Sequence, residues 1–576
     1  MAHAEALAAI PARQSSTDWL AVAATTLTVV ATVLLIVPTL VLVIKSFISD
    51  ATGSGDLSNY AEILQARKLS DVLINTAVLG FGSLVVIFTI ALPLAWLFAR
   101  TNFRWRRAIL TAATAQIAMP GFLATLGYIF MFNPTNGLVN QGWRAWSGQP
   151  HALFDIYSMG WMVLLQGLAL VGPALYFLVP IFSSIDGALE EAASAHGIGK
   201  GATFFRILLP ISLPALFSSS IFFLVISIET FDYAGMLGMP ARIDVIATWI
   251  YQFTQSSFTE PEYGLASAVG VLTAIVLLAL MAAQGLVFKR SAEISTLGGR
   301  ARAPSIRLSP QAQAVGILFF LTYVLAGLAL PLLTLIWMAL SPVPQLSAET
   351  LQQLSLDAFG PSFWMELQNT GSTTVLLALT IPTAVIGLTS AMAWTARRSV
   401  AADRGIETIV VANLAVPSIV IAVVFSVGAL QMHAYVPLYG TIAVMMLAIG
   451  TRYLATAYRI TRNSFRQVSK ELDEAGRTCG VPAGRLLIHV IIPVIKYGLG
   501  FAWFWVALLT LRELPISLVL SNYELQTLAS RIFFLNSSGD TRQAAALSLA
   551  LFAIIFVFLV ALLVFMRSTF RSGERT

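Results

Sequence analysis

The sequence predicts an all-α polytopic membrane protein of about twelve transmembrane helices, arranged as two parallel six-helix repeats. Three observations carry that expectation. Of 576 residues, 57% are hydrophobic and only 11% charged, against about 25% charged in an ordinary soluble domain, and mean hydropathy is +0.81. Apolar segments of the ~20 residues needed to cross the hydrocarbon recur along the whole chain. One stretch of loop sequence occurs twice, 283 residues apart. A soluble enzyme is excluded, because so much apolar surface has to face lipid.

Twelve segments qualify as spans: 19–45, 72–99, 108–132, 160–184, 208–236, 262–288, 313–340, 370–396, 406–432, 436–458, 490–511 and 543–566. The first is longer than the ~7–15-residue core of a cleaved signal peptide, so it reads as a retained helix after an N-terminal tail, 1–18. A polar stretch with Gly-Gly and two prolines, 289–312, separates a first unit, 19–288, from a second, 313–567, and leaves 568–576 as a C-terminal tail.

Lys and Arg are retained in cytoplasmic loops, which orients the chain. With both termini cytoplasmic, 24 of the 34 basic residues fall on the cytoplasmic side and eight on the other. The net charge of +6 therefore reports orientation in a membrane and implies no nucleic-acid partner. A single cysteine, Cys479, and five histidines without CxxC or HExxH leave no metal or redox motif. No GxxxxGK(S/T) is present, so no ATP is hydrolysed by a P-loop of this chain.

The stretch EEAASAHGIGKGATFFRILLPISLPAL (190–216) aligns without a gap with DEAGRTCGVPAGRLLIHVIIPVIKYGL (473–499). Glu191 falls on Glu474, Ala192 on Ala475, Gly197 on Gly480 and Pro210 on Pro493. Weaker echoes pair Asn75-Thr76 with Asn369-Thr370 and Met119-Pro120 with Val416-Pro417. Each copy lies between the fourth and fifth spans of its unit, on the same side, so the repeat is parallel and its axis runs along the membrane normal. Residues 186–205 read as a short helix, a glycine break and a second short helix entering a proline-started span. Ala192, Ala193 and Ala195 favour helix, whereas Gly197, Gly199 and Gly201 permit the sharp turn. A loop that needs only to be polar has no reason to repeat Glu, Ala, Gly and Pro in register. Two small helices along a membrane face can dock into a partner's groove.

These residues resemble the integral-membrane permeases of binding-protein-dependent ABC importers, whose cytoplasmic signature is EAA, three residues, Gly and later an apolar Leu-Pro. The first copy matches at Glu191, Ala192, Ala193, Gly197 and Pro210; the second, ending I-I-P, departs at Gly476, where the family usually has alanine. The resemblance covers essentially 19–567 and implies the type I permease fold in a fused form, so that no second permease chain is needed. It implies a coupling helix in each loop, received by one of two ATPase subunits that carry ATP and Mg, and a periplasmic solute-binding protein at the other face. No cofactor is implied for this chain. The fused layout, with ETFDYAGMLGMPARIDVIATWIYQF (229–253) and LRELPISLVLSNYELQTLASRIFF (511–534), is most similar to the ferric-iron permeases. Permeases for thiamine and 2-aminoethylphosphonate share much of the pattern.

Ionisable groups within spans are costly and are functional candidates by default. Glu229 and Asp232 fall late in the fifth span, Arg512 and Glu513 at the end of the eleventh, and Glu229 and Arg512 are 283 residues apart, equivalent positions with opposite charge. Either they meet across the path as part of an outer gate, or both sit at water-facing helix ends. Oxygen donors suit a hard cation, which makes Glu229, Asp232, Tyr233 and Glu513 candidates for transient contact with iron, without forming a dense metal site. Arg452, within the tenth span, has no assigned partner. An ion-coupled secondary transporter would also use such carboxylates, but it does not predict the duplicated loop.

Overall fold

The computed structural model describes residues 19–50, 52–255, 261–294, 306–343, 345–479 and 481–573. Among them the chain is helical, with two isolated bridges, Ile48 to Gly55 and Thr101 to Ile306, and no longer strand. The expected N-terminal tail, the last three residues of the C-terminal tail, residues 295–305 of the linker and Gly480 lie outside the described residues; the rest of the C-terminal tail continues the last helix to Gly573.

Helical elements occupy all twelve expected places. Among the described residues nine are single helices long and apolar enough to span a bilayer: Trp19–Ser46, Leu69–Arg100, Met159–Ser183, Gly201–Glu229, Tyr263–Val287, Pro310–Leu340, Pro361–Arg398, Ala483–Leu511 and Thr541–Met566. The other three depart from expectation. The third and ninth are not straight: Arg106–Ala118 meets Gly121–Phe132 at 88°, and Val400–Leu414 meets Ser418–Met432 at 97°. The tenth runs Ile442–Arg466, not 436–458, and its arginines make it too polar to qualify by apolarity. It lies in place because its apolar face is buried and Arg452 and Arg462 have carboxylate partners. The fifth span stops at Glu229, short of 236. Thr230 is extended (φ −70°, ψ 126°), and a new helical segment follows.

Both bends fall at the Met119-Pro120 and Val416-Pro417 echoes. Proline removes an N–H and disfavours helical backbone in the residue before it. Met119 is extended accordingly (φ −87°, ψ 111°), and Pro120 and Pro417 precede the next helix in the same non-helical conformation (ψ 143° and 149°). Pro38, Pro93, Pro173 and Pro382 lie inside helices that continue past them, so proline alone does not account for the bends.

The two units are consecutive in sequence but interlocked in space. The first span packs on the eighth, where the Thr28 and Thr395 hydroxyls lie 2.9 Å apart. The seventh packs on Gly121–Phe132, and Tyr128 donates to the Ala326 carbonyl. Each unit thus lends its first span to the other. The echo Asn75-Thr76 with Asn369-Thr370 is corrected by geometry. Thr76 accepts the Ile246 N–H at 3.0 Å, and the hydroxyl that does the same for Leu528, at 2.8 Å, belongs to Thr374. The register of these spans differs from that of the loops, so the matching dipeptide falls one turn early.

Candidate functional site

The duplicated loops fold alike. In the first, Ala188–Ala195 ends at Gly197, whose φ of +74° is the left-handed region that favours glycine. The turn closes with Ile198 N–H donating to Ala193 O at 2.9 Å; in the second copy Val481 N–H donates to Gly476 O at 2.9 Å. Glu191, Ala192, Glu474 and Ala475 are exposed, whereas Ala193 is buried. Ile198 and Val481, which occupy equivalent positions, are each 38% exposed, so both loops present a carboxylate and an aliphatic side chain outward. The fifth and eleventh spans begin with π-helical turns, Phe204–Leu208 and Leu487–Ile491, just before Pro210 and Pro493. A widened turn accommodates a proline that has no N–H to donate and crowds the preceding turn.

Gly476, the departure from the family signature, has a packing reason. A Cβ there would stand 2.9 Å from Leu486 Cδ1. The first copy places Ala193 and the smaller Thr203 at the same two positions. Size lost at one position is regained at the other.

Four residues absent from the expected set anchor these loops. Arg100, ending the second span, donates Nε–H to Glu190 Oε1 at 3.0 Å and Nη1–H to Ile185 O at 2.8 Å. Arg397, ending the eighth, donates Nε–H to Asp473 Oδ2 at 2.6 Å and Nη1–H to Val468 O at 2.7 Å. Glu190 and Asp473 are equivalent, as are Ile185 and Val468, at the separation of 283. An acid immediately before each conserved-spacing glutamate and a terminal Arg on each second span were the available signals.

The candidate gate residues gather at the two bends, but in other pairings than expected. Glu229 does not meet Arg512. It forms an ion pair with Arg452 and accepts the Ser418 N–H at the start of Ser418–Met432, while Arg452 Nη1 donates to Val416 O at 3.2 Å. At the first bend Asp232 accepts the Phe122 N–H, and Arg512 Nη1 donates to Ile117 O at 2.8 Å. Gly121 permits this approach, since a Cβ would lie 2.5 Å from the Tyr233 hydroxyl and 2.9 Å from Asp232 Oδ2. Glu513 accepts from the Tyr453 hydroxyl and from Ile516 N–H.

Each bend therefore carries an acid where the outgoing half-helix exposes N–H groups and an arginine where the incoming half-helix exposes carbonyls. That is the arrangement helix-end partial charges favour. It supplies what distinguishes these two prolines from those in continuous helices. The partners cross between units: Glu229 of the first serves the bend of the second, and Arg512 of the second serves the bend of the first. Among the described residues no group of three or more His, Cys, Asp or Glu is arranged to hold a metal ion.

Comparison with known proteins gives this geometry a context. The protein family described as binding-protein-dependent transport system inner membrane component matches twice, at residues 91–293 and 383–571. The chain is 24% identical over 506 residues to the Fe(3+)-transport system permease protein FbpB 2 of Haemophilus influenzae, covering 87% of this chain and 90% of the relative. It is 24% identical over 489 residues to the ferric transport system permease protein FbpB of Actinobacillus pleuropneumoniae, covering 83% and 66%. It is also 21% identical over 242 residues to the putative 2-aminoethylphosphonate transport system permease protein PhnU of Salmonella typhi, covering 42% and 82%.

Proposed function

Because the chain belongs to the family of binding-protein-dependent transport system inner membrane components, and is a multi-pass permease component of an ABC importer, we propose that it moves ferric iron into the cytoplasm by alternating access. Two copies of a separate ATPase subunit receive the loops at 186–205 and 469–488, both facing the cytoplasm along with the two termini. They close on ATP, rotate the units so that the path opens toward a docked periplasmic binding protein, and reset on hydrolysis. The ATPases supply the shift only through different affinity for the two states. The family match displaces an ion-coupled secondary transporter.

The observation that supports the coupling reading is the pair of loops with the same turn, the same exposed carboxylate and the same exposed aliphatic residue. Iron as the solute is supported by relatives named for ferric transport that align over most of both units. The relative named for 2-aminoethylphosphonate supports a second solute. Proteoliposomes holding the chain with its ATPase and binding protein test both. Uptake of radio-iron, competed by unlabelled ferric ion and not by 2-aminoethylphosphonate, is the expected result, and the reverse pattern replaces iron. Glu191→Ala with Glu474→Ala is expected to abolish uptake while the chain stays folded. Normal uptake by that variant removes the coupling role.

A further inference from the structure

The two loops are fixed to the membrane helices by a contact that repeats atom for atom. Arg100 and Arg397 each use Nε on the carboxylate of the loop helix and Nη1 on the carbonyl of the second residue past the fourth or tenth span. Arg397 adds Phe465 O at 2.8 Å and Ser469 O at 2.7 Å. One guanidinium thus joins three elements: the end of one span, the last carbonyls of another and the first turn of the loop helix. A planar fork with fixed donor directions suits such a junction better than a flexible ammonium. The side chains are enclosed, 5% and 6% exposed for Arg100 and Glu190, and 8% and 22% for Arg397 and Asp473. The carbonyls lie at or just beyond a helix C-terminus, where positive charge is favoured.

We infer that Arg100–Glu190 and Arg397–Asp473 are the braces through which motion of the coupling helices enters the membrane helices, with the arginines as positioning residues. Several features separate this from ordinary loop anchoring. After each loop helix the chain turns sharply, at Gly197 and Ile198 in the first copy and at Val481 in the second, so the loop helix does not continue into the fifth or eleventh span. The brace is the stiff alternative, and it leads to the second and eighth spans. Those pack along their lengths on the fourth and tenth spans, which carry the accepting carbonyls. A displaced loop helix therefore pulls two packed helices together as a block. The partner-facing Glu191 and Glu474 stay outward because the adjacent acid, Glu190 or Asp473, is held inward. The two copies use different acids for the same contact, so the carboxylate itself is what both require.

The inference rests on the permease reading, and its test separates the two. With Cys479, which is exposed, replaced by serine, spin labels go on Leu57 and Tyr435, exposed positions (63% and 87%) outside the loops, one in each unit. The label separation is measured in the complex with the ATPase subunits, with and without ATP. The parent chain is expected to shift with ATP. Glu190→Gln with Asp473→Asn is expected to keep the ATPases bound and lose the shift, whereas exchanging the acids, Glu190→Asp with Asp473→Glu, keeps it. A shift in the amide variant equal to the parent's overturns the brace, as does loss of bound ATPases in both variants. Should the double amide variant not fold, each single amide variant is read on the same labels, and a full shift in both overturns the inference. A parent chain that retains no ATPase overturns the permease reading itself.

Discussion

The loops and the bends are both duplicated, yet they diverge in opposite ways. At the loops the copies do the same thing with the same atoms, down to the Ile198 to Ala193 and Val481 to Gly476 turns. At the bends, equivalent positions hold opposite charges, Glu229 and Arg512, and each unit completes the other's break. The difference follows from what each region faces. Loops that are to meet copies of one partner, as proposed, are best kept alike. At each bend one charged partner comes from the other unit, Glu229 at the second and Arg512 at the first, so the equivalent positions carry opposite charge because they serve opposite ends of a broken helix.

The comparison breaks most severely at the second bend. Arg452→Leu leaves Glu229 enclosed without its ion-pair partner, and losing one member of a buried pair costs about 3–5 kcal/mol. Thermal unfolding in detergent should show a large drop for this variant and a smaller one for Glu229→Gln with Arg452→Gln. Equal drops would mean the pair is not coupled. Next comes Arg512→Leu, which removes a charged hydrogen bond to Ile117 O, worth about 1.5–3 kcal/mol, so its midpoint should fall less than that of Arg452→Leu.

Gly121→Val forces the Tyr233 hydroxyl and Asp232 off the start of a half-helix, an overpacking cost of about 1–3 kcal/mol. The same place in the other bend already holds Ser418, so Ser418→Gly should change the unfolding midpoint little, which sharpens the contrast between the bends. The smallest effect belongs to the loops. Gly476→Ala meets only the end of the flexible Leu486 side chain and should cost under about 1 kcal/mol. Adding Leu486→Thr recreates the first copy's pair and should restore the midpoint.

What the sequence made legible was local. Span apolarity, the loop repeat, the Gly197 turn and the proline-started spans are each set by residues within a turn or two, and they are found close to where expected apart from the two bends, the early stop at Glu229 and the shifted tenth span. The pairings at the bends were not legible. Equivalence by a constant separation places two residues symmetrically, but symmetric residues touch only if they lie on the axis, and Glu229 and Arg512 do not pair. Met119-Pro120 and Val416-Pro417 stood out as echoes, but nothing nearby distinguishes them from Pro93 or Pro382, whose helices continue. The distinction lies in Asp232, Arg512, Glu229 and Arg452, remote in sequence. The brace was half visible: Glu190 and Asp473 adjoin the motif, whereas Arg100 and Arg397 reach it only once the second and fourth spans are packed.

The central claim is that one polypeptide supplies both permease halves, each presenting one loop to one ATPase. Native mass spectrometry of the complex, purified in detergent with its ATPase subunit, tests it most directly. The account predicts a particle of one 62.0 kDa chain with two ATPase copies. A particle with two permease chains, or one chain that binds a single ATPase, would contradict it.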